Sequence, residues 1–396
     1  MLSEKSAQTV RATLPVVRGA IDEIAARFYD RLFAAHPELL RDLFNRGNQA
    51  NGTQRRALAG SIAHFASALV DEQGAFPEGM LVRVAHKHAS LGVTRDQYHV
   101  VGANLFAAIA EVLGEAATDE VLGAWEEVYW LMAESLIARE EKLYAEAGAP
   151  DGDTWREYRV DARHPETPEV VTLLLRPVDG GPVPEWRAGQ YVSVRVPLPD
   201  GARQIRQYSL TGDPRAEELR ITVKRVRGEP DGEVSNHLHD HVREGDVLGL
   251  SAPFGDVVLE EGSGPVLLAS AGIGCTPVIA MLRHLVATGS VRPVIAVHGD
   301  HGPSTHAFRA EFERLVAELD NAEAHVWYEN PEGPWPEQRT GTPDLTGLRI
   351  PPGTEAYLCG PLAFLRRAHR QLVSAGVAGT DIHYEVFEPD HWLTED

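Results

Sequence analysis

Apolar residues recur every three to four positions through most of residues 1–147, which is the period of an amphipathic helix. Three apolar stripes have this spacing: Ile21, Ala25, Phe28 and Leu32; Leu58, Ile62, Phe65 and Leu69; and Trp125, Val128, Met132, Leu136 and Leu143. The pattern predicts an all-α domain over residues 1–147, in which each stripe faces a common core.

The helical period stops at residues 147–153, where Gly, Ala, Pro and Asp cluster as they do in a linker. Runs rich in β-branched and aromatic residues follow, separated by Gly and Pro. They begin near Val170, Gly189, Arg206, Leu219 and Asp246. Closely spaced strands of this kind are typical of an antiparallel β-barrel. We expect this barrel over residues 153–260.

From residue 264 the pattern changes to strand, glycine-rich turn, helix and strand. Residues 266–289 and residues 356–376 both have this form. The alternation predicts a parallel α/β domain over residues 264–396. The predicted fold class is therefore multidomain: all-α first, then an antiparallel β-barrel, then α/β.

Composition and charge exclude several classes of protein. The 396 residues are 43% apolar and 24% charged, as in folded globular proteins. A formal net charge of −21 without a basic stripe argues against nucleic acid or an anionic membrane as a partner. The sequence has no signal-peptide pattern and no continuous apolar run of ~18 residues, so we expect no integral membrane association. Cys275 and Cys359 are too few for a disulfide framework, which favours a cytoplasmic location.

Helical geometry distinguishes the two histidines of residues 83–91. At ~100° per residue, His88 shares a face with Leu81 and Ala85, whereas His86 lies about 140° from Leu81. His88 is therefore predicted to face the core. A buried histidine is more often a hydrogen-bonded core residue than a metal ligand, and this observation alone leaves both interpretations open.

Polar residues accompany the apolar stripes of the helical segment. Glu140 flanks the third stripe, and Tyr29 adjoins Phe28 on the first. Gln54 lies one turn before Leu58. Each has an ordinary alternative: Glu140 as a solvated charge, Tyr29 as a core phenol and Gln54 as a first-turn residue of a helix.

The helical segment resembles the globin half of flavohaemoglobins over its whole length. The matching segments occur in the order of the family: FYDRLF (28–33), HPELLRDLFN (36–45), NQANGTQRRAL (48–58), AHKHASLGV (85–93), QYHVVG (97–102) and AREEKLY (138–144). The resemblance implies that the segment binds haem b and that His88 is the proximal iron ligand.

The same resemblance implies roles around the haem. Tyr98 and Glu140 would hydrogen-bond His88, and Lys87 would lie beside it. Phe44 would pack on the haem, while the distal side would be lined by Tyr29, Gln54 and Leu58. A carboxylate that accepts the outer N–H of a ligating histidine strengthens electron donation to iron, which favours O2 activation over storage.

Two motifs in the barrel segment are weak alone and stronger together. Arg206–Ser209 reads R-x-Y-S, and residues 232–238 read G-x-V-S-x-x-L, ~25 residues further on. Together they resemble the flavin domain of the ferredoxin-reductase superfamily, which implies FAD as a cofactor. The implied flavin contacts are Tyr191, Arg206, Gln207, Tyr208, Ser209, Val234 and Ser235. A helix that begins near Ser235 would offer its N–H groups to phosphate.

The α/β segment has a glycine-rich turn directly after an apolar strand. A lone G-x-G is a poor signal for nucleotide binding, but the strand-turn-helix context supports it. With His306-Ala-Phe308 in the expected order, the segment resembles the nicotinamide site of the same superfamily. The implied cofactor contacts are Gly272, Ile273, Gly274, Cys275, Thr276, Pro277, Cys359, Gly360 and Pro361. Asp300 is acidic and no Arg or Lys lies between its strand and Arg309, so NADH is favoured and NADPH stays open.

The last strand departs from the E-C-F-G-P sequence usual in the family. Glu385 and Phe387 keep the acid and the ring that the family places at the flavin. Val386 and Glu388 replace Cys and Gly, before Pro389. Loss of a glycine can change the backbone turn, so this substitution puts the flavin environment in doubt.

These features together favour a bacterial-type flavohaemoglobin that acts as a nitric oxide dioxygenase. NADH would reduce FAD, FAD would reduce haem, and O2 would oxidise NO to nitrate; the expected partners are these small molecules, and the chain is expected to be a monomer. One alternative is an NADH-dependent reductase with another acceptor, such as a ferric chelate, quinone or peroxide. A second alternative is a gas sensor or an O2 carrier. The reductase half argues against the sensor and against the carrier.

Overall fold

The computed structural model of the protein describes residues 2–50, 52–71 and 76–387. The chain forms two compact units. The first contains the chain up to Trp155 together with Arg195–Arg206. The second contains Arg156–Val194 and the described chain from Gln207 onward.

The first unit is helical, as predicted. Its helices are α1 (Glu4–Ala35), α2 (Pro37–Asp42), α3 (Arg46–Ala50), α4 (Thr53–Asp71), α5 (Glu78–Leu91), α6 (Arg95–Leu113) and α7 (Asp119–Glu146). Local signals mark where several of them begin and end. The Ser3 and Thr118 side chains accept N-terminal N–H groups of α1 and α7. Gly92 ends α5 in the left-handed conformation, with φ of 75°.

The apolar stripes face the interior of this unit. Eight of the thirteen predicted stripe residues are buried, each with less than 7% exposure: Ala25, Phe28, Leu32, Phe65, Leu69, Trp125, Val128 and Leu136.

The other five, Ile21, Leu58, Ile62, Met132 and Leu143, are half-buried. The helical period therefore identified the inward face of α1, α4 and α7.

One stretch of this unit, Arg95–Ala116, is long and apolar enough to cross a membrane by length and composition. It is weak evidence for a membrane span, because a core helix of a soluble protein meets the same test. In this unit α6 buries Tyr98, Gly102 and Leu105.

The second unit contains most of a β-sheet, except for the residues within Arg195–Arg206, and an α/β segment. A six-stranded sheet has the order β4-β3-β6-β1-β2-β5. Its strands are β1 (Trp155–Thr167), β2 (Val170–Pro177), β3 (Tyr191–Pro197), β4 (Arg203–Ser209), β5 (Leu219–Lys224) and β6 (Val247–Ser251), with α8 (Glu233–Asp240) between the last two. A bridge between Leu210 and Ile221 links the chain after β4 to β5, so the sheet curls as a barrel does.

The strand pattern of the sequence located five of these six strands. It did not identify β1, whose thirteen residues include charged side chains and Pro165. β1 pairs antiparallel with β2, which is buried at most positions. The neighbouring strand, rather than an apolar alternation of its own, therefore defines β1.

A five-stranded parallel sheet follows in the order β11-β10-β7-β8-β9. Its elements are β7 (Val266–Ala271), α9 (Cys275–Ala287), β8 (Val294–Asp300), α10 (Arg309–Ala317), β9 (Ala322–Tyr328), β10 (Glu355–Cys359), α11 (Leu362–Ser374) and β11 (Ile382–Glu385). Cys359 pairs with both Ser270 and Glu385, so three strands end together. The predicted order of all-α, antiparallel β and α/β is confirmed, and the exact domain boundaries stay predictions.

Candidate functional site

Three helices of the first unit bring His88, Tyr98 and Glu140 together. The Nδ1 atom of His88 lies 2.9 Å from the Tyr98 hydroxyl and 2.9 Å from Glu140 Oε1. The Tyr98 hydroxyl donates to the same Oε1 at 2.6 Å. Residues far apart in the sequence thus form one hydrogen-bonded group, which we call the His88 trio.

The trio fixes which nitrogen of His88 carries the proton. An ionised Glu140 carboxylate has no proton to donate and can only accept hydrogen bonds. The Tyr98 hydroxyl already donates its proton to Glu140. Nδ1 of His88 is therefore assigned the proton, which it donates. Burial and the nearby Glu140 carboxylate raise the pKa of Tyr98, which keeps it a donor. The lone pair of Nε2 therefore remains available for a ligand.

Burial within the trio also suits a metal ligand. The Glu140 side chain is 3% exposed, whereas that of His88 is 32% exposed. A neutral imidazole with a proton on one nitrogen and an accessible lone pair on the other is the donor that haem iron takes from a histidine. The residues present therefore fit haem. Lys87 is exposed on α5 beside His88.

A second group of predicted haem contacts surrounds Tyr29, which is 2% exposed. Its ring packs edge-to-face on Phe44, with ring centroids 5.9 Å apart. It also stacks on Phe33 at 5.5 Å. Burial raises the pKa of Tyr29, and hydrogen bonding from Gln54 and then Gln49 opposes that rise. The phenol is thus a protonated donor among apolar rings and amides.

The predicted residues Gln54 and Leu58 are half-buried, one turn apart on α4. Sequence reasoning missed Gln49, which is buried at the end of α3. Among the described residues, neither amide atom of Gln49 completes a hydrogen bond of good geometry. A buried amide whose hydrogen-bonding groups are not satisfied suits a pocket that accepts a polar ligand. Gln49 lies in the matching segment 48–58, but no apolar period singles it out from its neighbours in the sequence.

In the second unit, Tyr191 begins β3 and exchanges two backbone hydrogen bonds with Phe254, at 2.8 and 2.9 Å. Gln207 donates to the Ser193 hydroxyl at 3.1 Å. Tyr208 is half-buried and Ser209 buried at the end of β4. The sheet therefore holds these predicted flavin contacts by backbone pairing.

Arg206 belongs to the first unit. Its guanidinium donates to the Ile205 carbonyl at 2.7 Å and to the Gln204 side chain at 3.3 Å. Two neutral acceptors on its own strand therefore help to orient the guanidinium of Arg206.

Val234 and Ser235 lie in the first turn of α8, where the sequence predicted a phosphate-binding helix start. The Ser235 hydroxyl accepts the Val226 N–H at 3.1 Å and donates to the Gly232 carbonyl at 3.2 Å. These bonds fold the preceding turn against the helix. The hydroxyl thus supports the turn, while the backbone of the first helical turn has the polarity that suits phosphate.

The turn Gly272–Gly274 connects β7 to α9 and needs its two glycines for different reasons. Gly272 has φ of 53°, in the left-handed region that glycine adopts without strain. A Cβ on Gly274 would lie 2.3 Å from the Cys359 carbonyl oxygen. The turn therefore passes directly against the end of β10, beside the predicted contacts Ile273, Cys359, Gly360 and Pro361.

Side chains at the start of α9 brace this turn. The Thr276 hydroxyl donates to the Ile273 carbonyl at 3.0 Å. Cys275 and Pro277 are buried. Burial raises the pKa of both Cys275 and Cys359, so each stays a thiol. The backbone of the turn, rather than these side chains, is what this edge of the sheet can offer to a dinucleotide.

The last described strand ends beside this turn. Glu385 lies level with Cys359 across β10 and β11. Val386 packs against the core of the α/β sheet, which accounts for an apolar residue there. Phe387 is 48% exposed. Glu388 and Pro389 lie outside the described residues.

Asp300, at the end of β8, is held by its neighbours. The Thr305 hydroxyl donates to its carboxylate at 2.6 Å and the His301 N–H at 2.7 Å. Burial opposes the charge, but hydrogen bonds from His298 and Thr305 outweigh it and lower the pKa of Asp300 to about 2. A fixed carboxylate therefore lies one strand away from the turn Gly272–Gly274.

Comparison with known proteins covers both halves of the chain. A globin family model matches residues 26–136, and an oxidoreductase NAD-binding domain model matches residues 268–370. A flavohemoprotein from Bordetella parapertussis is 42% identical, with 98% of each chain covered. Another from Rhizobium meliloti is 38% identical, covering 98% of this chain and 99% of that one.

Solved structures agree with this result. A crystal structure of flavohemoglobin from Malassezia yamatoensis, with bound FAD and heme, has a TM-score of 0.90 and 38% identity, covering 98% of this chain and 99% of that chain. The FAD/NAD-binding domain of nitric oxide dioxygenase from Vibrio cholerae is 35% identical over 58% of this chain and 98% of that one, with a TM-score of 0.55. Since full-length relatives exceed 30% identity, the chain belongs to the flavohemoprotein family.

Proposed function

We propose that this flavohemoprotein is a nitric oxide dioxygenase, which oxidises NO with O2 to nitrate at the expense of NADH. The His88 trio is the observation that carries the proposal. Glu140 and Tyr98 surround the outer nitrogen of His88 at 2.9 Å each. A buried carboxylate in that position makes the other nitrogen a stronger electron donor, which favours O2 activation over reversible storage.

We infer that His88 holds haem b through Nε2, with Phe44 and Lys87 beside the porphyrin. Haem supplies the O2 chemistry, and FAD takes electrons from NADH in a pair and delivers them one at a time. On the distal side Tyr29 remains protonated and can donate a hydrogen bond, while Gln54 supplies an amide and Leu58 an apolar wall. That arrangement stabilises a partly negative oxygen ligand and limits access of water.

The reductase residues have distinct proposed roles. Arg206 binds the FAD pyrophosphate, Tyr208 lies against the isoalloxazine ring, and Ser209 contacts its reactive nitrogen. Tyr191, Gln207 and the start of α8 complete the flavin site. Glu385 and Phe387 would approach the flavin from the last strand, in which Val386 replaces the Cys usual in the family.

NADH is the proposed electron source, bound at the turn Gly272–Gly274. Asp300 is charged and fixed at the adjacent strand end, where a ribose 2′-hydroxyl can donate to it. A 2′-phosphate there would meet a like charge, so NADPH is disfavoured. We also propose a monomer located in the cytoplasm, with O2, NO and NADH as its substrates.

NO consumption tests this function directly. The purified protein, with haem and FAD bound, is expected to remove NO from aerobic buffer in an NADH-dependent reaction that yields nitrate. Vigorous NADH-dependent reduction of ferric chelates or quinones without NO consumption would instead support the alternative reductase.

Arg206→Ala tests whether electrons reach haem through the flavin. Losing a charge-assisted contact to pyrophosphate, worth roughly 1.5 to 3 kcal/mol, should weaken FAD retention and leave the haem spectrum unchanged. The variant, reduced chemically, should still oxidise one equivalent of NO, yet its NADH-driven turnover should collapse until excess FAD is added. Normal turnover of the flavin-free variant would refute the path.

A further inference from the structure

Arg283 on α9 is a largely buried cation that the proposed chemistry does not use. Its side chain is 12% exposed. Nε and Nη2 donate to the two carboxylate oxygens of Glu311 on α10, at 2.9 and 2.7 Å. The guanidinium carbon also lies 5.8 Å from the centre of the Phe308 ring. A bidentate pair with a carboxylate fixes the plane of a guanidinium, so the remaining nitrogen of Arg283 points in a set direction.

The remaining nitrogen reaches the β-sheet. Nη1 of Arg283 donates to the Thr211 carbonyl, in the chain that follows β4. Thr211 is fully buried. Its N–H donates to the Arg220 carbonyl at 2.8 Å, and its hydroxyl lies 3.2 Å from that of Thr222. The acceptor is therefore held by β5, and both ends of the contact belong to the second unit.

Short stretches of chain connect this contact to two proposed binding sites. Tyr208 and Ser209, which are proposed flavin contacts, directly precede the segment that contains Thr211. The turn Gly272–Gly274, which is the proposed NADH site, leads directly into the helix that carries Arg283. One guanidinium thus joins a flavin-binding segment to a nicotinamide-binding segment within one compact unit.

Apolar packing brings α9 close to the sheet but does not set the register between them. Met281 Cε would lie 3.0 Å from a Cβ added at Gly189, so α9 lies against the chain that enters β3. Apolar burial has no preferred direction, whereas a hydrogen bond weakens steeply when its angle changes. The polar contacts of Arg283 therefore limit how far α9 can shift along the sheet.

We propose that Arg283 is a positioning residue for hydride transfer from NADH to the flavin, an inference that rests on the proposed function. In that step one hydride, a proton with two electrons, leaves NADH for oxidised FAD, which gives NAD+ and the reduced anion FADH−. The reacting atoms must approach to roughly 3–3.5 Å, and an error of about 1 Å can slow such a reaction on the order of 100-fold. Arg283 acts by holding the two binding segments in register and needs no contact with either cofactor.

The test uses Arg283→Met, which keeps an unbranched side chain and removes every hydrogen bond, while Glu311 keeps Arg314 as a partner at 3.3 Å. The protein with haem and FAD bound is mixed with NADH under CO, without O2, in a stopped-flow instrument. At saturating NADH we expect flavin reduction at least roughly tenfold slower than in wild type, with the apparent Kd for NADH within about threefold. NADH deuterated at the transferred hydrogen should slow the variant at least as much as wild type, because hydride transfer then limits the rate.

An equilibrium measurement accompanies the rates. NAD+ stacked on chemically reduced flavin gives a long-wavelength charge-transfer absorbance, whose strength depends on the overlap of the two rings. At saturating NAD+ this absorbance should be weaker in Arg283→Met, while the flavin content and the haem Soret band stay unchanged. A loss of stability alone would not weaken the charge-transfer absorbance of the folded protein.

Arg215→Met is the matched control, since Arg215 makes another polar link between the same segments. It donates to the Ala287 carbonyl at the end of α9, at 2.7 Å, and its side chain is 57% exposed. Solvent screens that contact, so flavin reduction should stay within about twofold of wild type. If Arg283→Met does not retain FAD, Arg283→Lys carries the test, because it keeps a cation beside Glu311 and loses the planar fork that reaches Glu311 and Thr211 together.

Flavin reduction at the wild-type rate in an Arg283 variant with FAD bound would overturn the proposal. Slowing that disappears at saturating NADH would also overturn it, since that result places the defect in NADH binding. Equal slowing in Arg215→Met would do the same, because any loosened link would then suffice. No NO enters these measurements, so a wild-type protein that fails to consume NO would refute the proposed function and leave this result standing.

Discussion

The candidate site of the first unit is built from side chains, whereas the candidate nucleotide site of the second unit is built from backbone. Around His88, side chains from three helices form one hydrogen-bonded group, and the backbone only supports them. Around Gly272 and Gly274, the backbone itself forms the candidate site, and the nearby thiols are buried, which raises their pKa. The first site should therefore fail when a single polar atom is removed, and the second when a single carbon is added.

Removing the imidazole of His88 is the largest expected effect. His88→Ala should abolish stable haem binding, because the trio loses the only member with a lone pair suited to iron. His86→Ala should leave haem binding nearly intact. The Soret absorbance per protein after gel filtration measures both, and equal haem loss in the two variants would remove His88 from the site.

Adding one carbon at Gly274 tests the backbone site. Its Cβ would lie 2.3 Å from the Cys359 carbonyl oxygen, so the turn or β10 must move. Gly274→Ala should cost ~1 to 3 kcal/mol of stability and slow NADH-driven flavin reduction by more than about tenfold. Denaturant unfolding and stopped-flow flavin bleaching measure the two effects.

Gly272→Ala and Gly289→Ala form a matched pair for the same question. Both positions have positive φ, 53° and 63°, and no atom within 4 Å of an added Cβ. Each should lose ~1 to 2 kcal/mol of stability from backbone strain. Only Gly272→Ala should raise KM for NADH; a similar rise with Gly289→Ala would show that strain, not the turn, is responsible.

The Tyr29 hydroxyl tests the side-chain site at finer scale. Tyr29→Phe should speed O2 dissociation about tenfold or more, since a hydrogen bond worth roughly 1.5 to 3 kcal/mol to the bound ligand is lost. Tyr144→Phe is the control, because its hydroxyl bonds the Val93 carbonyl instead. Flash photolysis or O2 displacement by CO measures the rate. An unchanged rate in Tyr29→Phe would separate Tyr29 from the ligand.

The smallest expected effect is a pH dependence in the second unit. Burial, then the adjacent His298, lowers the pKa of His306 to about 2, with Asp300 opposing and Arg309 reinforcing the shift. As pH falls below about 6.5, His306 therefore becomes protonated in the unfolded chain but not in the folded chain. Protonation stabilises the unfolded chain, so the free energy of unfolding decreases as pH falls. The free energy of unfolding should decrease by up to ~1.4 kcal/mol per pH unit through this residue.

His306→Gln removes the group that becomes protonated when the chain unfolds. Denaturant unfolding of the second unit between pH 6.5 and pH 5 should show a shallower slope than wild type, with little difference near pH 8. Asp300, whose pKa is lowered to about 2, contributes only at more acidic pH. An identical slope in both proteins would exclude His306 as its source.

The sequence by itself determined the order of the folds and many of the candidate residues. Helical spacing predicted the inward direction of His88, and turn chemistry predicted the Gly272–Gly274 corner, because both signals are local. Motif resemblance supplied Tyr98 and Glu140 as candidates. None of these signals contains a distance between residues that are far apart in the chain.

Tertiary structure alone decided which distant residues meet. It placed Tyr98 and Glu140 on one nitrogen of His88, buried the unmarked Gln49, and joined Gln204 to three carbonyls near Phe44. It also showed that Gly274 is required by the approach of β10, not by its own backbone angle. Such pairings depend on how helices and strands pack, because a side chain's neighbours across the chain leave no periodic trace in the sequence.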